Sequence, residues 1–171
     1  MQLQLGPTNV ILEDGSGTWD VAAADALNLW NQQMSTFQFA WTVGSAAAEA
    51  YNDGVNSVFF SNAIYGEAFG QYTLAVTVVL FDRTTPSVSI ESDVIFNNAF
   101  SYNSYRGPLH RNGASTVYDF HRIALHEFGH VLGLNHPDEA GQTQPAIMDA
   151  VISDLDSLQA DDIAGARYLY G

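Results

Sequence analysis

The sequence HEFGHVLGLNH, residues 126–136, is the feature that most restricts the fold of this chain. Residues four apart lie on one face of an α-helix, so His126 and His130 can direct their imidazole nitrogens at a common point. Gly133 is suited to end that helix, because glycine adopts the left-handed backbone conformation without a steric clash. The chain can then fold back and bring His136 to the same point. The spacing therefore predicts three histidine side chains that meet at one place.

Three neutral imidazoles around one point form a ligand set for zinc, and they leave a fourth coordination position for water. That open arrangement is typical of a catalytic zinc site rather than a structural one. Glu127 directly follows the first histidine, where it can reach the water instead of the metal. The sequence therefore predicts one catalytic Zn²⁺ bound by His126, His130 and His136, with Glu127 as the catalytic residue.

A simpler interpretation is that these histidines are ordinary helix-surface or capping residues. An HExxH pattern alone does not decide between the two interpretations, because five residues are a short pattern. The longer frame, with a glycine and a third histidine at fixed spacing, is far rarer by chance and favours the metal site. His110 and His121 lie outside the frame, and His121, five residues before His126, points to another face of the helix. We expect neither of them to bind the metal.

A single domain over residues 1–171 is the expected organisation, since this length supports one hydrophobic core and no repeat interrupts it. Acidic residues number 19 and basic residues 5, which gives a net charge of -14. Such a surface repels phosphate groups, so we expect neither a nucleic-acid nor a membrane partner. We also expect the protein to be a monomer. The lack of cysteine excludes thiol catalysis and cysteine-bound zinc.

Hydrophobic periodicity predicts a mixture of helices and strands. Amphipathic patterns predict three helices, at residues 18–35, 117–132 and 160–170. Runs of β-branched and aromatic residues predict four strands, at residues 37–43, 57–61, 72–81 and 87–98. Residues 101–116 show no pattern. A helix, then strands, then two helices favour an α+β fold, with helices packed on a mixed sheet, over an alternating doubly wound fold.

Several segments of the chain resemble one family of zinc peptidases. HEFGHVLGLNH together with AIM, residues 146–148, resembles the metzincins, in which a methionine turn lies beneath the metal, and Met148 matches that methionine. TLAVT, residues 73–77, and ADDIAGARYLYG, residues 160–171, are similar more narrowly to the catalytic domain of the matrixins. Residues 26–43 are similar to that family's first helix and following strand. The resemblance implies a zinc endopeptidase with a twisted, mixed five-stranded sheet, three helices and the zinc at the floor of a cleft.

The resemblance also implies how a substrate would bind and react. A protein or peptide substrate would lie extended along the edge strand, and Glu127 would take a proton from water and deliver it to the departing amine. The turn after Met148 lacks the aromatic residue that is usual in the family, so the wall of the specificity pocket would be aliphatic. The substrate-binding residues implied in this way are Leu74, Ala75, Val76, Ala150, Val151 and Ile152.

The chain departs from the family at two other kinds of metal site. Animal matrixins bind a second, structural zinc, and Val76 and Ile95 stand where two of its histidine ligands would be. The loop NAIYGEAFGQ, residues 62–71, contains neither histidine nor aspartate, so we expect this second zinc site to be lost. The calcium sites of the same loop are in doubt, although oxygen atoms near Asn97 and Asn98 could hold Ca²⁺.

Arg122 lies one helical turn before His126 and has two interpretations. Its guanidinium could pair with a surface carboxylate such as that of Asp119, three residues earlier. Alternatively, Arg122 lines the specificity pocket and makes it shallow, which would favour small or medium apolar side chains.

A rival to the endopeptidase is a catalytically silent, zinc-containing peptide-binding module of the same fold. Glu127 argues against this rival, since loss of catalysis usually removes the base first. A structural metal protein without peptidase ancestry would not explain Met148 together with residues 161–171. Relatives of this type act outside the cell, so we expect a secreted protein whose signal peptide and any pro-segment lie outside this sequence.

Overall fold

Three helices and seven strands form the fold in a computed structural model, which describes residues 1–85, 88–112 and 115–171. The helices are α1 (Trp19–Asn31), α2 (Phe120–Val131) and α3 (Ala160–Tyr170). The strands are β1 (Gln2–Leu3), β2 (Ser57–Ser61), β3 (Ala75–Phe81), β4 (Ser89–Asn97), β5 (Ser101–Asn103), β6 (His110–Asn112) and β7 (Ser115–Asp119). No helix in the described ranges is long and apolar enough to cross a membrane.

The main sheet is mixed and has the strand order β1-β2-β4-β3. The β1–β2 and β2–β4 pairs are parallel, whereas β3 runs antiparallel to β4. β3 is therefore an edge strand, as the sequence predicts for the strand that includes residues 74–77. A second, three-stranded sheet has the order β5-β7-β6. The predicted α+β class with three helices is confirmed.

The hydrophobic core lies where α1 and α2 meet each other and the main sheet. α1 packs on α2, and α2 contacts both β3 and β4. Val94, Ile95 and Phe96 of β4 are fully buried, as β-branched and aromatic side chains in a central strand should be. Trp30 of α1 is also fully buried, and its indole N–H donates to the main-chain oxygen of Leu125 in α2 at 2.9 Å. This packing fixes α2 against the edge strand β3.

The strand predicted at residues 37–43 is wrong, whereas β1 forms a strand that was not predicted. The main sheet has four strands, not the five that the resemblance implies. Within that segment, only Thr42 forms a bridge, to Gln2. The side chain of Asn31, at the end of α1, forms hydrogen bonds with both main-chain groups of Phe39. Its oxygen accepts from the N–H of Phe39 at 2.7 Å, and its nitrogen donates to the carbonyl of Phe39 at 2.9 Å. An alternating sequence thus lies beside the sheet because a helix end satisfies its polar groups.

The other predicted elements differ from the observed ones mainly at their ends. Residues 57–61 and 160–170 form the predicted strand and helix with the predicted bounds. The helix predicted from residue 117 begins at Phe120, because residues 115–119 pair with two other strands and Asp119 caps the helix. β5, β6 and β7 lie in or next to the stretch that showed no pattern. Ser87, the predicted start of one strand, lies outside the described residues.

His121 links α2 to α1 and to the segment after β5. It is fully buried, its Nε2 lies 2.9 Å from the carboxylate of Asp25, and its Nδ1 lies 2.5 Å from the guanidinium of Arg106. Arg106 can only donate, so Nδ1 accepts and Nε2 carries the hydrogen of a neutral ring. Burial, together with the charge of Arg106, lowers the pKa of His121 to about 4.

We expect His121 to make the fold less stable in acid. The ring has a pKa of 6.5 in the unfolded chain and about 4 in the fold, so the unfolded state binds more protons below pH 6.5. The contribution of His121 to the free energy of unfolding is complete above that pH and is lost as the pH falls toward 4. When the pH is lowered from roughly 7.5 to 5, the free energy of unfolding should fall by about 2 kcal/mol more in wild type than in His121→Gln, as measured by chemical denaturation. Equal losses in the two proteins would contradict this prediction.

Candidate active site

Helix α2 and the turn that follows it bring the three histidines of the sequence frame together. His126 and His130 lie one turn apart on α2 and are both partly exposed. Just beyond the helix, Gly133 has a φ of 95° and donates its N–H to the carbonyl of His130 at 2.9 Å. That left-handed conformation favours glycine and reverses the chain. His136 consequently returns to the other two histidines, as the spacing predicted.

The three imidazole rings meet through their Nε2 atoms. Nε2 of His130 lies 3.0 Å from Nε2 of His126 and 3.0 Å from Nε2 of His136, and the third distance is 3.2 Å. Among the residues that the structure describes, these are the only three side chains of metal-ligand type found grouped closely enough to share one ion.

In two of the three rings, the nitrogen opposite Nε2, Nδ1, faces a main-chain oxygen. The acceptors are the oxygen of Ile147 for His126 and that of Leu134 for His130, both at 2.8 Å. A main-chain oxygen can only accept, so Nδ1 of these two rings carries the ring hydrogen and Nε2 has the free lone pair. Nδ1 of His136 lies 3.2 Å from the carboxylate of Glu139, which is exposed.

This donor set fits zinc. A tetrahedral zinc with Zn–N distances of roughly 2.0–2.1 Å separates its nitrogen ligands by about 3.3 Å, close to the spacings above. Lone pairs directed at one point repel each other, and a cation among them removes that repulsion. Burial lowers the pKa values of His126 and His130 below their ordinary value, which keeps the rings neutral, as metal ligands must be.

Glu127 follows the first histidine and is 5% exposed. Burial raises the pKa of its carboxyl group, and a hydrogen bond from the hydroxyl of Thr77 to Oε2, at 2.7 Å, acts in the opposite direction. A raised pKa makes the carboxylate a stronger base than an exposed one, which suits a group that accepts and returns a proton. The contact of Thr77 with Glu127 was not predicted, because no spacing rule relates a strand residue to a helix residue 50 positions away.

Met148 supports the histidines from the side of the next loop. It is 2% exposed and packs against Gly129, the residue before His130. Asp162, in the first turn of α3, accepts the N–H groups of Ile147 at 2.9 Å and Met148 at 3.1 Å. Because the carbonyl of Ile147 orients the ring of His126, α3 stabilises the histidine cluster through this turn.

A cleft of about 1110 Å³ passes the histidines between β3, α2 and the segment around residues 146–155. Tyr118 and Asp149, which the sequence did not single out, lie along the cleft. Every residue predicted to bind substrate also lines it: Leu74, Ala75, Val76, Arg122, Ala150, Val151 and Ile152.

The register of β3 determines which of its main-chain groups face the cleft. Asn97 donates its N–H to the carbonyl of Leu74 at 2.9 Å, so these two residues form a hydrogen-bonded pair of the antiparallel ladder. Such pairs alternate with non-hydrogen-bonded pairs along the strand. The N–H and C=O groups of Ala75 and Thr77 therefore point away from β4, toward the open edge, while those of Val76 point toward β4.

Arg122 pairs with Asp119, as one of its two interpretations predicted. The prediction that this pair lies at the surface is wrong, because both side chains are buried. The guanidinium Nε lies 3.3 Å from the carboxylate of Asp119, and the two terminal nitrogens donate to the main-chain oxygens of Gly107, at 2.5 Å, and Ser153. Arg122 also lines the cleft, as the alternative interpretation required. It thereby ties the wall of the cleft after residue 149 to the segment after β5.

The remaining histidines lie in other surroundings. His110 stacks on the ring of Tyr105 with 3.8 Å between ring centroids, and His121 is held by Asp25 and Arg106. At the two positions where the family has ligands of a structural zinc, Val76 and Ile95 are direct partners across the β3–β4 ladder.

Asn97, one of the residues considered for calcium, has both ends of its amide bonded within the protein. Its nitrogen donates to the carbonyl of Thr73 at 2.9 Å, and its oxygen accepts the N–H of Ala99 at 3.0 Å. The amide thus fixes the turn after β4. The role of Asn97 or Asn98 in calcium binding stays a prediction.

The chain matches a known protein family over most of its length. A sequence model of the family Peptidase_M10, described as Matrixin, matches residues 14–171. Metalloendoproteinase 5-MMP of Arabidopsis thaliana is 43% identical over 60 residues, which cover 33% of this chain and 16% of that protein. Matrix metalloproteinase-18 of Xenopus laevis is 41% identical over 61 residues, which cover 33% of this chain and 12% of that protein. The matched segment is thus a small part of either relative.

We expect Gly129→Ala to destabilise the fold. A Cβ atom at this position would lie 2.2 Å from Sδ of Met148 and 3.2 Å from the ring of Trp30, and both side chains are buried. Overpacking of this kind costs about 1–3 kcal/mol, which chemical denaturation can measure. Gly165→Ala in α3 is the matched control, because its Cβ would meet only the flexible end of Leu134, at 3.0 Å. Equal stability of the two variants would contradict the tight packing at Gly129.

Proposed function

The chain belongs to the matrixin family, and on that premise we propose that it is a zinc-dependent endopeptidase that hydrolyses peptide bonds of protein substrates. The observation that carries the proposal is that the buried carboxyl group of Glu127 lines the same cleft as three imidazole nitrogens that converge within 3.2 Å. The cleft beside them has a volume of about 1110 Å³ and is bordered by the edge strand β3.

In the proposed reaction, His126, His130 and His136 hold the zinc and Glu127 moves the proton. Bound there, zinc would supply a Lewis acid that polarises the scissile carbonyl and lowers the pKa of water toward about 7. Glu127 accepts a proton from the attacking water and then donates it to the amine nitrogen as the carbon–nitrogen bond breaks. One carboxyl group thus serves as base and then as acid.

The substrate is proposed to pair with the edge strand β3. The outward-facing N–H and C=O groups of Ala75 and Thr77 can form main-chain hydrogen bonds with an extended peptide, in the manner of an added strand. Such bonds depend little on the substrate sequence. Selectivity would then come from side-chain pockets, above all from the part of the cleft between Arg122 and residues 150–152.

We further propose that the protein is a monomeric, single-domain catalytic unit that acts outside the cell. Its excess of 19 acidic over 5 basic residues supports the view that neither nucleic acid nor a membrane is a partner.

Glu127→Ala should inactivate the protein without removing its metal. The variant loses the group that moves the proton, so kcat/KM for a fluorogenic peptide should fall about 100- to 10,000-fold. Metal analysis should find one zinc per chain in wild type and variant alike, since the three imidazoles are unchanged. Glu67→Ala, at an exposed loop position, is the control and should retain activity.

Two results would contradict this reading of the site: full activity of Glu127→Ala, or two tightly bound zinc ions per chain. A wild-type protein that binds one zinc and a peptide but cleaves no peptide would instead support the catalytically silent binding module.

Arg122→Leu should widen the specificity pocket on the leaving-group side. The change removes the guanidinium that lines the cleft. Substrates with a bulky or aromatic side chain on the leaving-group side of the cleaved bond should then become acceptable. The variant is best made together with Asp119→Asn, because an unpaired buried carboxylate costs about 3–5 kcal/mol. Asp119→Asn alone is the matched control, and all three proteins should bind the same amount of zinc. Peptide-library profiles that are identical for wild type and the double variant would show that Arg122 does not shape the pocket.

A further inference from the structure

Thr77 joins the edge strand β3 to the proposed catalytic carboxyl group. Its hydroxyl oxygen lies 2.7 Å from Oε2 of Glu127 and 3.0 Å from the main-chain oxygen of Glu127. A hydroxyl group has one proton to donate. The contact to Oε2 is the shorter of the two, so the carboxyl group is the preferred acceptor.

This bond restricts what Glu127 can do with its two oxygens. Oε2 is held on the side of β3, and the carboxyl group cannot rotate without losing the bond. Oε1 is left to take the proton from water. A glutamate side chain has several rotatable bonds, and ordering them costs conformational entropy. Because the Glu127 carboxyl group is already fixed by Thr77, this entropy need not be lost when the proton is transferred.

We infer that Thr77 is a positioning residue, whose hydroxyl holds the Glu127 carboxyl group in the orientation needed for proton transfer. The inference rests on the proposed peptidase function and extends it to a residue outside the histidine frame. The main-chain groups of Thr77 also face the open edge of β3, where the substrate is proposed to pair. One residue thus contacts the substrate backbone through its main chain and the general base through its side chain.

A simpler role for Thr77 would be to tie β3 to α2 through the main-chain oxygen of Glu127. The two roles differ in their effects. A structural tie would change stability, substrate affinity and zinc binding together, whereas a positioning bond acts chiefly on kcat.

The experiment compares Thr77→Val, which has the same shape without the hydroxyl, with Thr77→Ser, which keeps the hydroxyl. Thr84→Val is the matched control, because the Thr84 hydroxyl also bonds a carboxylate, that of Asp82 at 2.5 Å, at an exposed site outside the cleft. On a fluorogenic peptide, Thr77→Val should lower kcat about tenfold with KM and zinc content unchanged. Thr77→Ser should recover most of this loss, and Thr84→Val should match wild type.

A second measurement tests the bond itself and needs no activity. In protein labelled with ¹³C at glutamate side-chain carboxyls, the Glu127 signal is identified by its loss in Glu127→Gln. That signal should shift in Thr77→Val but not in Thr84→Val, in both the chelated and the zinc-loaded protein. An unshifted Glu127 signal, a kcat of Thr77→Val equal to wild type, or equal losses in Thr77→Val and Thr77→Ser would overturn the inference. If wild type cleaves no peptide, the peptidase proposal fails by itself, and the carboxyl signal still decides whether Thr77 holds Glu127.

Discussion

The convergence of three imidazole nitrogens on one point is the constraint on which the architecture of the site depends. Their Nε2 atoms lie only 3.0–3.2 Å apart, so each ring must be held in one orientation. Main-chain carbonyls accept from Nδ1 of His126 and of His130, and the carboxylate of Glu139 lies 3.2 Å from Nδ1 of His136. Hydrogen-bond partners on the far side of a ring determine both its orientation and its tautomer. The side of each ring that faces away from the cluster is therefore as important to the site as the side that faces it.

The supports come from distant parts of the chain. The ring of His130 is oriented by the turn at Gly133, directly after the helix, whereas the ring of His126 depends on the loop at residues 147–148 and so on Asp162 of α3. Asp162 accepts N–H groups from Ile147, Met148 and Gln159, and so links the start of the last helix to that loop. A change in α3 can thus alter the geometry of a ligand without contacting it.

The parts of this structure that follow local rules could be predicted from the sequence. The histidines share a helix and a glycine turn, so their convergence follows from spacing alone. Residues 37–43 misled the prediction, since aromatic and polar residues alternate there although Asn31 satisfies the main chain. The short strands β5, β6 and β7 are defined by pairing partners rather than by a side-chain pattern. The Thr77–Glu127 bond spans 50 positions, and the burial of Arg122 likewise depends on segments that only the fold brings together.

The way in which Arg122 anchors the cleft wall affects how freely that wall can change. Its guanidinium binds the main-chain oxygens of Ser153 and Gly107, and every amino acid has a main-chain oxygen. These bonds therefore do not depend on which side chains the loop after Met148 carries, such as those of the exposed Ala150 and Val151. Substitutions there can remodel the pocket while the backbone stays attached to α2. Diversification of substrate preference is thereby separated from preservation of the scaffold.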